Sequence, residues 1–215
     1  MFQKPYQTQN VPLINYNFTD TITGVSYKTF YAGDASGTKF LISSPTASSW
    51  GGITQVGNSI YQGSLVLAGT YNFDTTFNIP QIIEGDAVAQ FTLGQYWEGN
   101  ATGTRRQARI SLQKNTVELI SGATTATVAA DGSAGDTLSA PEAIILPVPK
   151  TSFAIGDTLR MEVKIYGQGQ GSPGQDIKPG IGTDPNGAKD EGTKKVIEDT
   201  DSTIFKLHLP FRADI

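Results

Sequence analysis

Apolar and polar residues alternate with a period of two along much of this chain. In Tyr71-Asn72-Phe73-Asp74-Thr75-Thr76-Phe77-Asn78-Ile79 the aromatic residues and Ile79 share one side. Leu159, Met161, Val163 and Ile165 alternate with Arg160, Glu162 and Lys164, and Phe205, Leu207, Leu209 and Phe211 alternate with Lys206, His208 and Pro210. Alternation of this kind predicts strands with one buried and one wet face. Further strands are predicted at 25–31, 39–43, 60–67, 87–96, 106–112, 117–120 and 124–129. Between them lie Gly, Asn, Asp and Pro, the residues that turns need. No stretch carries a sustained helical stripe. The pattern predicts an all-β fold, an antiparallel β-sandwich of jelly-roll-like type, with a long irregular loop before the last strand.

Two segments break the alternation. In residues 1–20, Phe2, Tyr6, Val11, Leu13, Tyr16 and Phe18 are scattered among Gln, Asn and Thr, and Pro5 and Pro12 bar a continuous helix. This reads as an extended N-terminal arm ahead of a single sandwich domain over 21–215. The arm either lies as a first strand on its own sheet or crosses to a neighbouring subunit, where Phe2, Tyr6, Tyr16 and Phe18 would find pockets. The second segment is an excursion over 167–201, which opens with Gly167-Gln168-Gly169-Gln170-Gly171 and passes through Asp184-Pro185-Asn186-Gly187. Loops of that length are functional or mobile. The regular strand that follows builds the C-terminus into a sheet. Two Gly-Asp pairs, Gly85-Asp86 and Gly156-Asp157, read as similar lead-ins to a strand.

Composition narrows the chemistry. The chain of 215 residues has no cysteine and one histidine, with 16 Lys and Arg against 20 Asp and Glu. Thiol nucleophiles, thiolate metal sites and disulfides are therefore impossible. The acidic balance gives no electrostatic reason to expect nucleic acid as a partner. The first residues lack the apolar core of a signal peptide, and no run approaches a membrane span, so folding in the cytoplasm and no membrane partner are expected. His208 would have to serve any histidine-based catalysis, yet it falls on the wet face of the last strand. No carboxylate pair stands out for glycosidase chemistry. No catalytic residue and no cofactor are predicted, and the protein is read as non-enzymatic.

Three weaker signals remain. Arg105 and Arg109 share an outward strand face and could pair with acids on a partner, or could guard a strand edge against aggregation; Arg106 falls with Ala108, Ile110 and Leu112. Trp50, Tyr96 and Trp97 could stack on a sugar, or cap the core. Asp184, Asn186, Asp190 and Glu191 offer oxygens to a hard cation, but Pro185 and Lys189 interrupt the helix–loop–helix pattern, and Asp-Pro-Asn-Gly is ordinary turn chemistry.

The C-terminal third, with Gly156-Asp157, the strand over 158–166, the polar Asp-Pro excursion and the ending Ser202-Thr203-Ile204-Phe205-Lys206-Leu207-His208-Leu209-Pro210-Phe211-Arg212-Ala213-Asp214-Ile215, resembles β-sandwich structural proteins of tailed-virus particles. That resemblance implies a capsid decoration or capsid-stabilising subunit located in the virion, with other virion proteins and further copies of itself as partners. A carbohydrate-binding module built on the loop aromatics is the alternative.

Overall fold

The computed structural model describes residues 25–44, 53–191 and 194–212. Among the described residues twelve strands form, in chain order: β1 (Val25–Ala35), β2 (Thr38–Ile42), β3 (Thr54–Val56), β4 (Val66–Thr76), β5 (Gln81–Trp97), β6 (Ala101–Lys114), β7 (Val117–Thr124), β8 (Val128–Gly132), β9 (Thr137–Phe153), β10 (Thr158–Gln168), β11 (Ile177–Gly182) and β12 (Lys206–Arg212). The fold is all-β and sandwich-like. Hydrogen bonds link all the strands in one path, β3-β11-β5-β12-β1-β2-β4-β10-β6-β7, with β9 added to β5 and β8 to β6. Pairing is antiparallel except at one bridge, Phe40 with Asp74, where β2 meets β4 in parallel.

Strand β1 makes the fold. Its first half pairs with β12, from Val25 with Arg212 to Tyr31 with Lys206. Its second half pairs with β2, from Tyr31 with Ile42 to Ala35 with Thr38. One strand therefore serves two layers. The first layer contains β12, β5, β9, β11 and β3, and the second contains β4, β10, β6, β7 and β8. Inward residues of both layers fill one core. Phe73 of β4 lies 6.3 Å from Phe205, which in turn stacks on Phe91 of β5 at 4.8 Å. Phe77 meets Phe153 of β9 edge-on at 4.9 Å. Leu159, Met161, Val163 and Ile165 are all wholly buried, as their alternation predicts. Strand β12 lies between β1 and β5, so the C-terminal strand is central, as its regularity implies.

The differences from the sequence reading have physical causes. The 167–201 segment carries a strand, β11, and its Ile177, Ile181, Val196 and Ile197 are fully buried. Polar and glycine-rich sequence hid these contacts because the few apolar residues there fall into no alternating run. Of the strand predicted at 60–67, only the bridge from Ile60 to Ile177 precedes Val66. Strand β9 was missed altogether. Its run Pro141-Glu142-Ala143-Ile144-Ile145-Leu146-Pro147-Val148-Pro149 does not alternate, and its three prolines argue against a strand. They are accommodated because β9 pairs only with β5, on one side. The two Gly-Asp pairs are not equivalent either. Gly156-Asp157 forms the turn before β10, where the Asp157 carboxylate accepts the Ala154 amide at 2.8 Å, whereas Gly85-Asp86 sits inside β5 at a bulge against β9.

Candidate functional site

The outer face of the first layer divides into two halves. At one end, Gly94 of β5 pairs with Gly180 of β11. A Cβ on Gly94 would sit 1.8 Å from the Val196 carbonyl oxygen, one on Gly180 would sit 2.6 Å from the Val196 side chain, and one on Gly182 would sit 2.5 Å from Thr203. Three glycines on one face therefore let the chain beyond β11 lie directly on the sheet as a roof. Side chains pin it there. The Thr92 hydroxyl donates to the Ser202 carbonyl at 2.6 Å, Thr137 to the Lys195 carbonyl at 2.8 Å, and Ser139 to the Asp201 carboxylate at 2.5 Å.

The predicted cation ligands belong to this roof. Asp184 is 2% exposed and accepts the amides of Asn186 and Ala188, at 2.9 and 2.7 Å. Asp190 accepts the amides of Val196 and Ile197, at 2.9 and 3.4 Å. Glu191 is exposed. These carboxylates hold backbone, and among the described residues no three acids or histidines group to hold a metal ion. Of the four candidate ligands, Asp184 and Asp190 thus spend their oxygens on backbone amides, in keeping with the turn chemistry read from Asp-Pro-Asn-Gly.

No described segment covers the other half of the face. Across it run Ile145 of β9, Val88 of β5, His208 of β12 and Thr29 of β1, paired in register. Along β9 the outward positions are Pro141, Ala143, Ile145, Pro147 and Pro149, and every one is exposed, Ile145 at 61%. Their inward neighbours Ile144, Leu146 and Val148 are in the core. The strand thus reads as apolar on both faces, the signature of a strand covered on both sides, yet one face meets solvent.

The remaining predicted residues are dispersed. His208 is half-buried, not wet as expected. Its Nε2–H donates to Gln90 Oε1 at 3.2 Å and its Nδ1 accepts from the Thr29 hydroxyl at 2.9 Å. Burial, together with Lys206, lowers its pKa from the ordinary value, so the ring is a neutral tie between three strands. Trp97 is 1% exposed and packs with Ile60, Ala68, Ala101 and Ile177 in a second small core. Its indole has no open face for a sugar, which corrects the stacking expectation. Tyr96 is half-buried beside Lys178 of β11. Arg109 donates to the Ser121 carbonyl of its own neighbour β7, while Arg105 is exposed. Both lie on β6, which is flanked by β10 on one side and by β7 and β8 on the other, so they guard no edge. Phe2, Tyr6, Tyr16, Phe18 and Trp50 lie outside the described residues.

One polar group escaped the sequence reading in its consequence. Arg106 does face inward, and it is 1% exposed with Nε and Nη1 lacking a partner. Burial lowers its pKa, opposed by Glu142, Glu198 and Asp201, and burial raises that of Glu142. The alternation of β6 placed this cation inside, but nothing in the sequence indicated which acids would surround it.

No family model and no curated protein matches the chain. Among solved structures, an alpha-amino acid ester hydrolase is similar at a TM-score of 0.51 and 12% identity, over 86% of this chain and 36% of that one. A CocE/NonD family hydrolase from Staphylococcus aureus is similar at 0.46 and 11% identity, over 88% and 37%. The VP2 subviral particle of infectious bursal disease virus is similar at 0.31 and 12% identity, over 84% and 45%. The chain spans little more than a third of the hydrolases it resembles. The first similarity is one of fold alone: this chain shares its β architecture with part of a larger protein.

Proposed function

We propose that this chain is a non-enzymatic structural subunit of a virus particle, a capsid decoration or capsid-stabilising protein that works through protein–protein contacts. The observation that carries the reading is the exposed, uncharged row Pro141, Ala143, Ile145, Pro147 and Pro149 on β9. An exposed apolar strip backed by a packed core is what a partner buries. Three groups that could do acid–base chemistry are engaged elsewhere: His208 between Thr29 and Gln90, Asp157 with Asn115 and Lys114, and Asp74 with Arg160. The style of the C-terminal third, which resembles virion sandwiches, supports the same reading.

Cosedimentation tests it. The purified chain, mixed with particles of the virus whose genome encodes it, is expected to pellet in stoichiometric amount, and Ile145→Lys is expected to stay in the supernatant. A wild-type chain that never enters the pellet would sink the reading.

A further inference from the structure

Strand β9 makes ladder hydrogen bonds along one edge only, to β5; β7 lies near it without pairing, and the prolines of β9 remove amide donors from the unpaired edge. Pro141, Pro147 and Pro149 cannot give a ladder hydrogen bond, so another strand adds there poorly. The face is what remains available. Its row is self-complementary about Ile145. A two-fold axis there sets Ile145 against Ile145, Ala143 against Pro147 and Pro141 against Pro149. Apolar residues would meet apolar ones at every step, as an isologous contact requires.

The two ends of the row differ in charge and in height. Beyond Pro149 stands the exposed Lys150. At the other end the roof rises beside Ser139, with Asp201 bonded to it. Around an open cleft of about 550 Å³ there, Asp136, Glu198 and Asp199 outnumber Lys195. The two-fold brings the Lys150 end of one copy to the acidic end of the other. It also seats each roof over its partner's bare end. Facing sheets pack about 10 Å apart, which leaves room for one layer of chain.

We infer that the outer face of β9 is an interface between two copies of this chain, arranged two-fold about Ile145. The inference rests on reading that face as a contact surface. Four strands by nine residues of pleated sheet span on the order of 600 Å² per copy. That is below the ~800 Å² per partner of a standard interface, so the dimer is of the weak, concentration-dependent class.

Sedimentation velocity from low-micromolar to near-millimolar concentration tests this with the full chain. Wild type is expected to move from monomer to dimer. Ile145→Lys sets like charges face to face and is expected to weaken association by about 100-fold or more, with an unchanged melting temperature. Because the chain has no cysteine, Ile145→Cys introduces its only thiol. It is expected to form a disulfide-linked dimer much faster than Val117→Cys, which is exposed on β7 in the other layer. A wild type that stays monomeric throughout, or equal crosslinking at the two positions, overturns the dimer. Protection of a lone thiol at position 145 in a monomer would assign the face to the chain's own N-terminal residues and also overturn it. The two readings fail separately. A monomer whose particle binding needs Ile145 sinks the dimer alone, and a dimer without particle affinity sinks the virion role alone.

Discussion

The roofed and bare halves of one sheet face differ mainly in side-chain volume. Where Gly94, Gly180 and Gly182 leave the pleat without Cβ atoms, the chain's own backbone settles onto it within ordinary contact distance. Where Pro141, Ile145 and Pro147 stand up from β9, no described segment covers them. A smooth patch takes an intramolecular lid, because backbone is all that fits so closely. A ridged apolar patch needs complementary ridges, which a second surface supplies. The roofed half should therefore govern stability, and the bare half association.

Substitution at the closest approach should break this contrast most strongly. Gly94→Ala places a Cβ against the Val196 carbonyl, and the roof must lift; a loss of about 3 kcal/mol is expected from urea melts. Asp190→Ala leaves the buried Val196 amide without its acceptor, for a loss of about 2 kcal/mol in the same measurement. Arg106→Met acts in the opposite direction. Replacing a buried cation whose Nε and Nη1 lack partners by an apolar side chain of similar length is expected to stabilise by roughly 1 kcal/mol, read as a higher urea midpoint.

Acid should separate the halves in order. On the bare half, His208 has a folded-state pKa below its ordinary 6.5. The unfolded chain therefore binds the proton more readily, and stability present above pH 6.5 falls as pH drops below it. At the roofed end, burial pushes the Glu98 carboxyl up, but hydrogen bonds from Lys194, Ser59 and Lys178 outweigh it and set the group at about 2. Its contribution is present above pH 4.5 and lost between there and about 2. Melting temperatures across this range should fall in two steps, and His208→Gln should remove only the first. The smallest effect is expected on the bare half. Ile145→Ser should shift stability by no more than about 0.5 kcal/mol in urea, since the side chain is solvated already.

How much of this was legible can be seen residue by residue. Met161 and Leu207 could be placed in the core from alternation alone, because a strand with one wet face writes its burial into every second residue. Arg106 could be placed inside by the same rule, but the acids around it, Glu142, Glu198 and Asp201, could not. Strand β9 went unread because covering both faces with apolar residues erases the period that marks a strand. Trp97 looked like a loop platform because it precedes Gly99, and only the packing of Ile60 and Ile177 around it made it core. Asp184 and Asp190 looked like ligands because an oxygen's partner, metal or amide, is invisible in sequence.

By itself the sequence determined the strand-based class, the inward set of the alternating strands, the exclusion of thiol chemistry and the lack of a second histidine. Those follow from local rules, residue type and a period of two. Only the tertiary structure decided that β1 spans two layers, that three glycines from two strands meet under one roof, and that β9 presents an apolar row that no described segment covers. These are juxtapositions of residues far apart in the chain. They depend on strand order and register, which alternation does not encode, because shifting a strand by two residues preserves its pattern while changing every partner.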